Sequence, residues 1–580
     1  YREETDLVYL DLIRSTLDME LNGVAIDVEA LQRFSVMYRE ELATFTTDLD
    51  TMGYGNELNP GSPEQMGRFL FDTLGLKDWI PLPEQYFTDS SMDFIEDLIS
   101  RHELVTEMPR QDKREKWGRV VAPYMDMLRS AVDEEAWAKG VKWSSNKLTL
   151  TNLAAYIREL KAENPTSKMT DYLDHVLDII TKLRAYRKSK TYLTRYVDPI
   201  VDMGRADPLY PGVVLVYPNY NIGGTGTGRY SSSDPSFHQF PKLSMVKDGF
   251  ISRWGSIGGL ILESDEKQVE VAIMAALSQD PTLLSAIRNG EDVYWAVAAS
   301  TLDTTVEELM QRDGASAYRK TYKGVTLGLA YGAGAQKLSD QFGVSVEAAK
   351  QTINDFYAKM PGMKAYRDRQ AATVRAKGYV TSSFGFRRLL PWGLLDNPRD
   401  KGKRAKAERQ ALNTPIQGSA SQLVSRANDG IYWHKQALID GGIAALKSVE
   451  WGFVHDSHSG DVFPGELWTM YCLYHHHLAI RPPQLYPWLN LPMRIDTEIG
   501  VSWYRKVVME MTGGPCEVKV HGKPGWVQGA LRAMKLWPER PDLLSAQTLE
   551  VEGEPHMEVI LRLPGDPDMP EILIATDPTA

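Results

Sequence analysis

Residues 319–332 read Arg-Lys-Thr-Tyr-Lys-Gly-Val-Thr-Leu-Gly-Leu-Ala-Tyr-Gly. At 3.6 residues per turn, Arg319, Lys323 and Leu327 fall one turn apart on one helical face, and Tyr331 follows a turn later. Two cations then stand at one end of a face whose other end is apolar and aromatic. A nucleoside triphosphate has the matching shape, an anionic tail joined to a flat, stackable base. The same pattern also describes an amphipathic surface helix with two solvated cations, and the acids elsewhere in the chain have to separate the two readings.

Upstream, the apolar run Gly258–Leu262 leads into Glu-Ser-Asp-Glu-Lys-Gln-Val-Glu at 263–270. It predicts a buried strand that delivers Asp265 at its end and continues into a helix from about Val269. Downstream, Val449–Val454 leads into His455-Asp456-Ser457, which predicts a strand and a tight turn with a carboxylate at its tip. Either aspartate alone reads as an ordinary turn or cap residue. Together, on two strand ends of one sheet, they form a site for two Mg²⁺ ions about 3.5–4 Å apart, the arrangement for in-line phosphoryl displacement.

With these motifs in order, the chain resembles the DNA polymerase I family (family A) over roughly residues 7–510. Asp265–Glu270 is similar to the family's first palm motif, Asp-Tyr-Ser-Gln-Ile-Glu. Arg319–Gly332 resembles the fingers helix, Arg-x3-Lys-x3-Phe-Gly-x2-Tyr-Gly. His455-Asp456 resembles the second palm motif, His-Asp-Glu. Thr227-Gly228-Arg229-Tyr230-Ser231-Ser232 with His238-Gln239-Phe240-Pro241, and Glu408-Arg409 through Asn413, Pro415, Gln417 and Gly418, are similar to two further blocks.

The resemblance implies an α+β, right-hand polymerase fold with a helical thumb, an antiparallel-sheet palm and helical fingers. It implies template-directed DNA synthesis, adding dNTPs to a primer 3′-hydroxyl. Asp265 and Asp456, with the backbone carbonyl of Glu266, would hold two Mg²⁺ ions, for which Mn²⁺ could substitute. Arg319 and Lys323 would grip the β- and γ-phosphates, one through a rigid fork and the other as a point charge. Leu327, Tyr331, Glu270, Gln268 and Glu266 complete the implied nucleotide site, Tyr331 under the templating position and Glu270 against a 2′-hydroxyl. Arg229, Gln239, Asn413, Gln417 and His455 would inspect the minor-groove edge of the new pair, where acceptors are alike for every correct pair. Arg409 would meet the DNA backbone. For Asn413 and Gln417, capping or turn formation beside Pro415 is the structural alternative.

Departures from the family pattern are specific. Leu327 stands where most relatives have Phe or Tyr; in the family, Leu there is common among phage and other viral enzymes. Ser457 replaces the Glu after the second aspartate, Ala272 an Arg, and Tyr294 the His of an Asp-Ile-His block that here reads Asp292-Val293-Tyr294.

The 580-residue chain is long enough for several domains. Cys472 and Cys516 are its only cysteines, which excludes a disulfide framework and a Cys-based zinc site. No run of about 18 uncharged apolar residues predicts a membrane span. With no secretory signal visible, a cytoplasmic location in a bacterial or phage-infected cell is expected. His475-His476-His477, in an aromatic-rich helical stretch, reads as structural or surface histidine.

The net charge of −12 is unevenly spread. Lys182–Arg195 holds six Lys or Arg and no acid, with Tyr186 and Tyr192 interleaved. It reads as a helical hairpin of the thumb whose Lys182, Arg187, Lys188 and Lys190 grip duplex backbone, with the salt dependence of such contacts. A second basic cluster runs from Lys401 through Lys403, Arg404 and Lys406 to Arg409.

Expected domains are 1–204, thumb and its base with a long insertion at about 85–170; 205–300, first part of the palm, as strands; 301–425, fingers, with a hairpin from Gly378 to Pro391; 426–510, second part of the palm; and 511–580, a C-terminal extension of unknown role. In that extension Val527–Met534 predicts a helix, and His556–Leu563 and Glu571–Ala575 predict strands. Ile495-Asp496-Thr497-Glu498 reads as the strand closing the palm. The Asp-Thr-Glu within it is also the metal triplet of proofreading exonucleases. The chain opens at Tyr1 with no proofreading motif before it, so extension without mismatch removal is expected. Primer-template DNA and dNTPs are the expected partners of a monomer, with a helicase, primase or other replisome protein also compatible. A single-subunit RNA polymerase, a reverse transcriptase and a non-catalytic DNA-binding accessory subunit are the alternatives.

Overall fold

The computed structural model describes residues 9–578 apart from 53, 55–57, 81–82, 106–107, 109–113, 164–166, 242–243, 343, 455, 537–542 and 552. The chain divides into two compact units, Leu31–Pro199 and the remainder.

Leu31–Pro199 is helical. Val28–Thr51, Lys147–Glu163 and Ser167–Tyr192 close over a core of Phe45, Leu49, Phe69, Leu70, Leu153, Ile157, Val176, Ile180 and Leu183. The insertion carries a second small core around Met92, Ile95, Trp117 and Leu128. A turn at Asn59–Ser62 starts the short helix Pro63–Arg68: Ser62 Oγ accepts from Gln65 N–H (3.3 Å), and Gln65 Oε1 accepts from Asn59 N–H (2.7 Å). The basic stretch 182–195 is no hairpin. It is the end of the helix Ser167–Tyr192 and the wider π-turn Leu193–Val197 that continues it. The stretch holds no Gly or Pro, so nothing in it interrupts the helical ladder.

The second unit is built on an eight-stranded sheet. Its strands are β1 (Leu260–Glu266), β2 (Val449–Val454), β3 (Ser457–Val462), β4 (Ile495–Gly500), β5 (Lys506–Met511), β6 (Glu517–Gly522), β7 (Leu543–Val551) and β8 (Glu554–Arg562). Their order is β7-β8-β6-β5-β4-β1-β3-β2, with every neighbour antiparallel. Of the two strands predicted to deliver the aspartates, the run from Gly258 enters β1 and Val449–Val454 is β2; they are not neighbours, because β3, which follows Asp456 and was not predicted, lies between them, and Asp496 and Glu498 lie on β4 as a palm strand.

Six helices of this unit matter here: α1 (Val269–Ser278), α2 (Ala315–Ala330), α3 (Lys401–Asp440), α4 (Leu467–His475), α5 (Pro524–Ala533) and α6 (Met569–Thr576); α3 to α6 share a core with the sheet, and α1 and α2 pack in a separate helical core. Eight of ten α1 residues are buried, as expected of a helix that is apolar all round. α3, 40 residues and about 60 Å long, passes through Pro415 without ending. Asn413 and Gln417 therefore stand inside a continuous helix, and capping or turn formation does not account for them. At the far end of α3, Lys435 ion-pairs with Glu450 of β2 at 2.7 Å, both nearly inaccessible.

Three expectations fail. Residues 205–300 contribute one strand, β1, to this sheet; Val214–Val216, Asn219–Asn221 and Ser231–Ser233 lie outside it, and Val269–Thr301 is helical. The palm does not close at 510, because β5, β6, β8 and β7 continue the same sheet to Arg562. Residues 571–575 belong to helix α6, not a strand: Pro570 occupies the first turn and Met569 and Leu573, four apart, face the core. The Val527–Met534 helix and the 556–563 strand are found as α5 and β8, and the hairpin after Gly378 as Tyr379–Thr381 paired with Arg387–Leu389.

Candidate active site

Antiparallel pairing of β1 with β3 sets Asp265 opposite Ser457, and Glu266 N–H donates to the Asp456 carbonyl at 3.2 Å. Two acids 191 positions apart thus stand on neighbouring strand ends, one step apart in register. On the other side of β1, Asp265 faces Asp496 of β4, whose carboxylate is held by Lys267 at 2.9 Å.

Glu266 sits among these acids with its side chain fully buried, and neither carboxyl oxygen has a hydrogen-bond partner among the described residues. Burial pushes its pKa well up, and the charges of Asp456 and then Asp265 push it further. Ser457, where the family pattern has Glu, turns its hydroxyl to Glu263 Oε1 at 2.7 Å, while Trp503 Nε1 and Lys506 Nζ bind the other oxygen at 2.8 and 2.6 Å. Serine at this position therefore serves a buried carboxylate next to the site.

Gln268 holds a left-handed backbone (φ 56°) at the start of α1 and brings Glu270 into its first turn. The Glu270 carboxylate takes the Arg229 guanidinium on one oxygen and the Tyr331 hydroxyl on the other. Arg229 is presented by a tight loop: its N–H donates to Thr225 Oγ1 at 3.0 Å, and Gly228 adopts φ 78°, where a Cβ would lie 2.6 Å from the Tyr9 hydroxyl. Tyr331 ends α2 and is hydrogen-bonded by Gln417 of α3. The Asp456 charge bears on both Arg229 and Tyr331, which puts the clamp and the aspartates in one neighbourhood.

Arg319 and Lys323 project from α2. Arg319 holds Asp292 Oδ2 through Nε and Nη2 at 2.9 and 2.6 Å. Asp292 Oδ1 meanwhile caps the helix Val293–Thr301 by accepting from Tyr294 and Trp295 N–H. The Arg319 guanidinium and the Lys323 ammonium lie 5.7 and 5.6 Å from the Tyr294 ring centre, so one buried tyrosine underlies both cations. Leu327 packs half-buried against the core around α1.

Asn413 is half-buried, and its Oδ1 is enclosed without a partner among the described residues. Arg409 is exposed and borders Gly332, where a Cβ would come within 2.9 Å of its side chain. Gln239 is exposed at the end of the short turn Phe237–Gln239. His455 lies outside the described residues. In the other unit, Lys188 and Lys190 are exposed, as duplex-gripping cations must be. Two of that set are engaged internally: Lys182 pairs with Asp48 and Asp178 at 2.7 and 3.0 Å, and Arg187 binds the Ser145 carbonyl and hydroxyl. Lys182 keeps an exposed side chain beside these carboxylates, and Arg187 is half-buried, so both have intramolecular partners in the absence of DNA.

Asp292 and Tyr294 were missed as site residues; an N-cap Asp followed two residues later by an aromatic was the visible signal.

The antiparallel sheet and its helices make an α+β fold of the polymerase type, with the acid pair at a strand junction. The fold matches a solved structure, the POL domain of Pol1 from M. smegmatis in complex with DNA primer-template and dNTP, with a TM-score of 0.60 and 23% identity over 85% of this chain and 70% of that one. The model of DNA polymerase family A matches residues 145–505, and the chain belongs to that family. Among curated relatives, DNA polymerase I of Mycobacterium tuberculosis (strain ATCC 25618 / H37Rv) is 30% identical over 501 residues, 85% of this chain and 44% of that protein. The thermostable DNA polymerase I of Thermus aquaticus is 25% identical over 70% of this chain and 39% of its own length. DNA polymerase I of Streptococcus pneumoniae (strain ATCC BAA-255 / R6) is 29% identical over 59% and 37%. The chain thus spans less than half the length of the curated relatives it matches.

Proposed function

We propose that this chain performs template-directed DNA synthesis by two-metal nucleotidyl transfer, adding dNTPs to a primer 3′-hydroxyl. The observation that carries the reading is the β1–β3 pairing, which brings Asp265, Glu266 and Asp456 together. Family membership and the architecture support it.

The donor set suits divalent cations. It is made of hard carboxylate and carbonyl oxygens, and Glu266 adds a buried carboxyl with no hydrogen-bond donor on it. Asp265, Asp456 and the Glu266 carbonyl would hold two Mg²⁺, or Mn²⁺ in their place, and bound ions of that kind lower the pKa of an attacking hydroxyl and neutralise a leaving pyrophosphate. Arg319 exchanges Asp292 for the β- and γ-phosphates, and Lys323 moves from the Tyr294 face to the same group. Tyr331 stacks at the templating position. Glu270, fixed by Arg229 and Tyr331, lies under the sugar and leaves no room for a 2′-hydroxyl. Gln417, Asn413, Gln239 and Arg229 offer polar groups to the minor-groove edge, and Arg409 with Lys188 and Lys190 meets phosphates. In this reading residues 1–204 serve as thumb, 301–425 as fingers and the β1–β8 sheet as palm.

Primer extension with Mg²⁺ on DNA and RNA templates, with dNTPs and rNTPs supplied separately, tests the proposal. The wild type extends with dNTPs on DNA. Asp456→Asn loses at least about 10³-fold, equivalent to several kcal/mol of charge stabilisation. Its melting temperature stays level or rises, because Glu266 loses a like charge. Preferential rNTP use would favour an RNA polymerase. Extension undiminished in Asp456→Asn, or none in the wild type, would defeat the proposal.

A further inference from the structure

Three histidines and an aspartate, none of them part of the site above, meet in the second unit. His434 lies on α3, His476 and His477 open the π-turn His476–Ile480 after α4, and Asp577 follows α6. Relative accessibilities are 0%, 3%, 3% and 7%, so the four are sealed from bulk water. One ligand atom from each lies within 4.8 Å of all the others. His434 Nδ1 is 3.0 Å from His477 Nε2, and His476 Nε2 is 2.9 Å from Asp577 Oδ2. The edge of a tetrahedron around zinc with histidine ligands is about 3.3 Å. The three rings cross at 75–86° with centres 4.9–5.5 Å apart, so they point inward from different sides and do not stack.

Local structure is arranged to make this meeting possible. In a regular helix, neighbouring residues point about 100° apart; the widened turn at 476–480 lets two consecutive histidines face the same centre, and such turns recur at functional sites. On α3, Gly430 lies one turn before His434, and a Cβ there would stand 2.5 Å from His477 Nδ1. A mid-helix glycine costs about 1 kcal/mol against alanine, and here it provides room for the ring. His434 Nε2 is 3.1 Å from Thr576 Oγ1, an outer contact that orients the ring, and the Arg481 guanidinium shares Asp577 Oδ2, the oxygen that faces His476. His476 Nδ1 is buried with no partner among the described residues. A cleft lined by Arg426, Asp429, Gly430, His477 and Arg481 gives an approach, with Asp429 as a second carboxylate to offset the charge of an ion and Arg481.

We infer that His434 Nδ1, His476 Nε2, His477 Nε2 and Asp577 Oδ2 bind a zinc ion in a closed, four-coordinate structural site that fastens α6 to α3 and α4. Four protein ligands leave no open position, so the ion holds the fold and does not do chemistry. Its occupant is a borderline-soft transition metal, because imidazole nitrogen prefers such ions to Mg²⁺.

The test uses the full chain, purified without a histidine tag. After dialysis against a weak chelator, elemental analysis reads on the order of one zinc per chain. Co²⁺ in its place gives the strong visible absorption of a tetrahedral site, and zinc returned to chelator-stripped protein raises the melting temperature. Asp577→Asn and His477→Asn lose the metal and the zinc-dependent rise, while His475→Asn, one residue outside the cluster, keeps both. If His477→Asn does not fold, the wild-type stoichiometry and Co²⁺ spectrum decide. Wild type that retains no metal and does not respond to zinc would overturn the inference, and so would metal retained equally by Asp577→Asn. None of these readouts depends on polymerase activity.

Discussion

Glu270 receives two donors on one carboxylate, and replacing it separates two roles that the site gives it. Glu270→Gln keeps the side chain's shape and removes its charge. Bonds to a charged acceptor are worth about 1.5–3 kcal/mol each. Side-chain exposures of 33% for Arg229 and 17% for Glu270 place this pair at the low end through solvent screening. The amide keeps one acceptor oxygen and turns its NH₂ toward the other donor, so about one such bond is lost. A deficit of roughly 1.5–2 kcal/mol is a loss of about 10–30-fold in kcat/KM for dNTP addition. Sugar exclusion rests on shape, so the dNTP-to-rNTP ratio of Glu270→Gln stays close to wild type. Glu270→Ala opens the space under the sugar, and its ratio falls by one to two orders of magnitude. Single-nucleotide extension with matched dNTP and rNTP on one primed template measures all three quantities. A Gln variant as efficient as wild type would show that the Arg229–Glu270–Tyr331 clamp does not act in the reaction. An Ala variant with an unchanged ratio would show that the carboxylate is not placed against the sugar.

Two further perturbations are as specific. Burial alone pushes Glu263 up, but Lys506 and the Ser457 hydroxyl bring it below the usual carboxylate range. A depressed carboxylate contributes stability that is present above its unfolded value, about 4.3, and lost as pH falls through the folded one. Lys506→Met leaves that carboxylate buried without its cation, costing about 3 kcal/mol at neutral pH. Glu263 is then raised in the folded state, so denaturant midpoints of the variant should increase from pH 7 to pH 5 while those of the wild type do not. Lys323→Ala removes a cation that has no ion pair among the described residues and lies over the Tyr294 ring. Its melting temperature should stay within about 2 °C of wild type, while dNTP addition falls by roughly 10²–10³-fold; a parallel loss of stability would make the lysine structural.

Much of the site was legible because its parts announce themselves by spacing. A helix that repeats a cation every fourth residue and ends in tyrosine, or a strand that stops at an aspartate, carries its geometry in the period of its side chains. The strand β3 that follows Asp456, and its pairing with β1, did not follow from such spacing. Long-range partners were not legible. No local pattern says that Asp292 both caps a helix and holds Arg319 27 positions later, or that Lys182 finds Asp48. The π-turn at 476–480 looks like ordinary helix in the sequence, and only the fold brings His434 and Asp577 to it. Residues 511–580 escaped for a related reason. Their strands alternate in the usual way, but a strand's alternation does not name its neighbour, so the continuation of the palm sheet through β5, β6, β8 and β7 could be seen only in the register.

Glu266 shows why the departures from pattern are concentrated where they are. A strand end buried on both sides would be most stable with an apolar side chain, and a carboxyl there, without a hydrogen bond, costs several kcal/mol. Beside Asp456 and Asp265 the cost is larger, because like charges in a low-dielectric pocket repel. Packing gives no return for it, since neither oxygen has a partner among the described residues. A positive charge arriving at the same strand junction would reverse every one of these terms. It would attract the two aspartates, relieve their repulsion and favour ionisation of Glu266. The junction of β1 and β3 is thus unfavourable by itself and favourable with cations, which is the electrostatic signature of a binding site and not of a core.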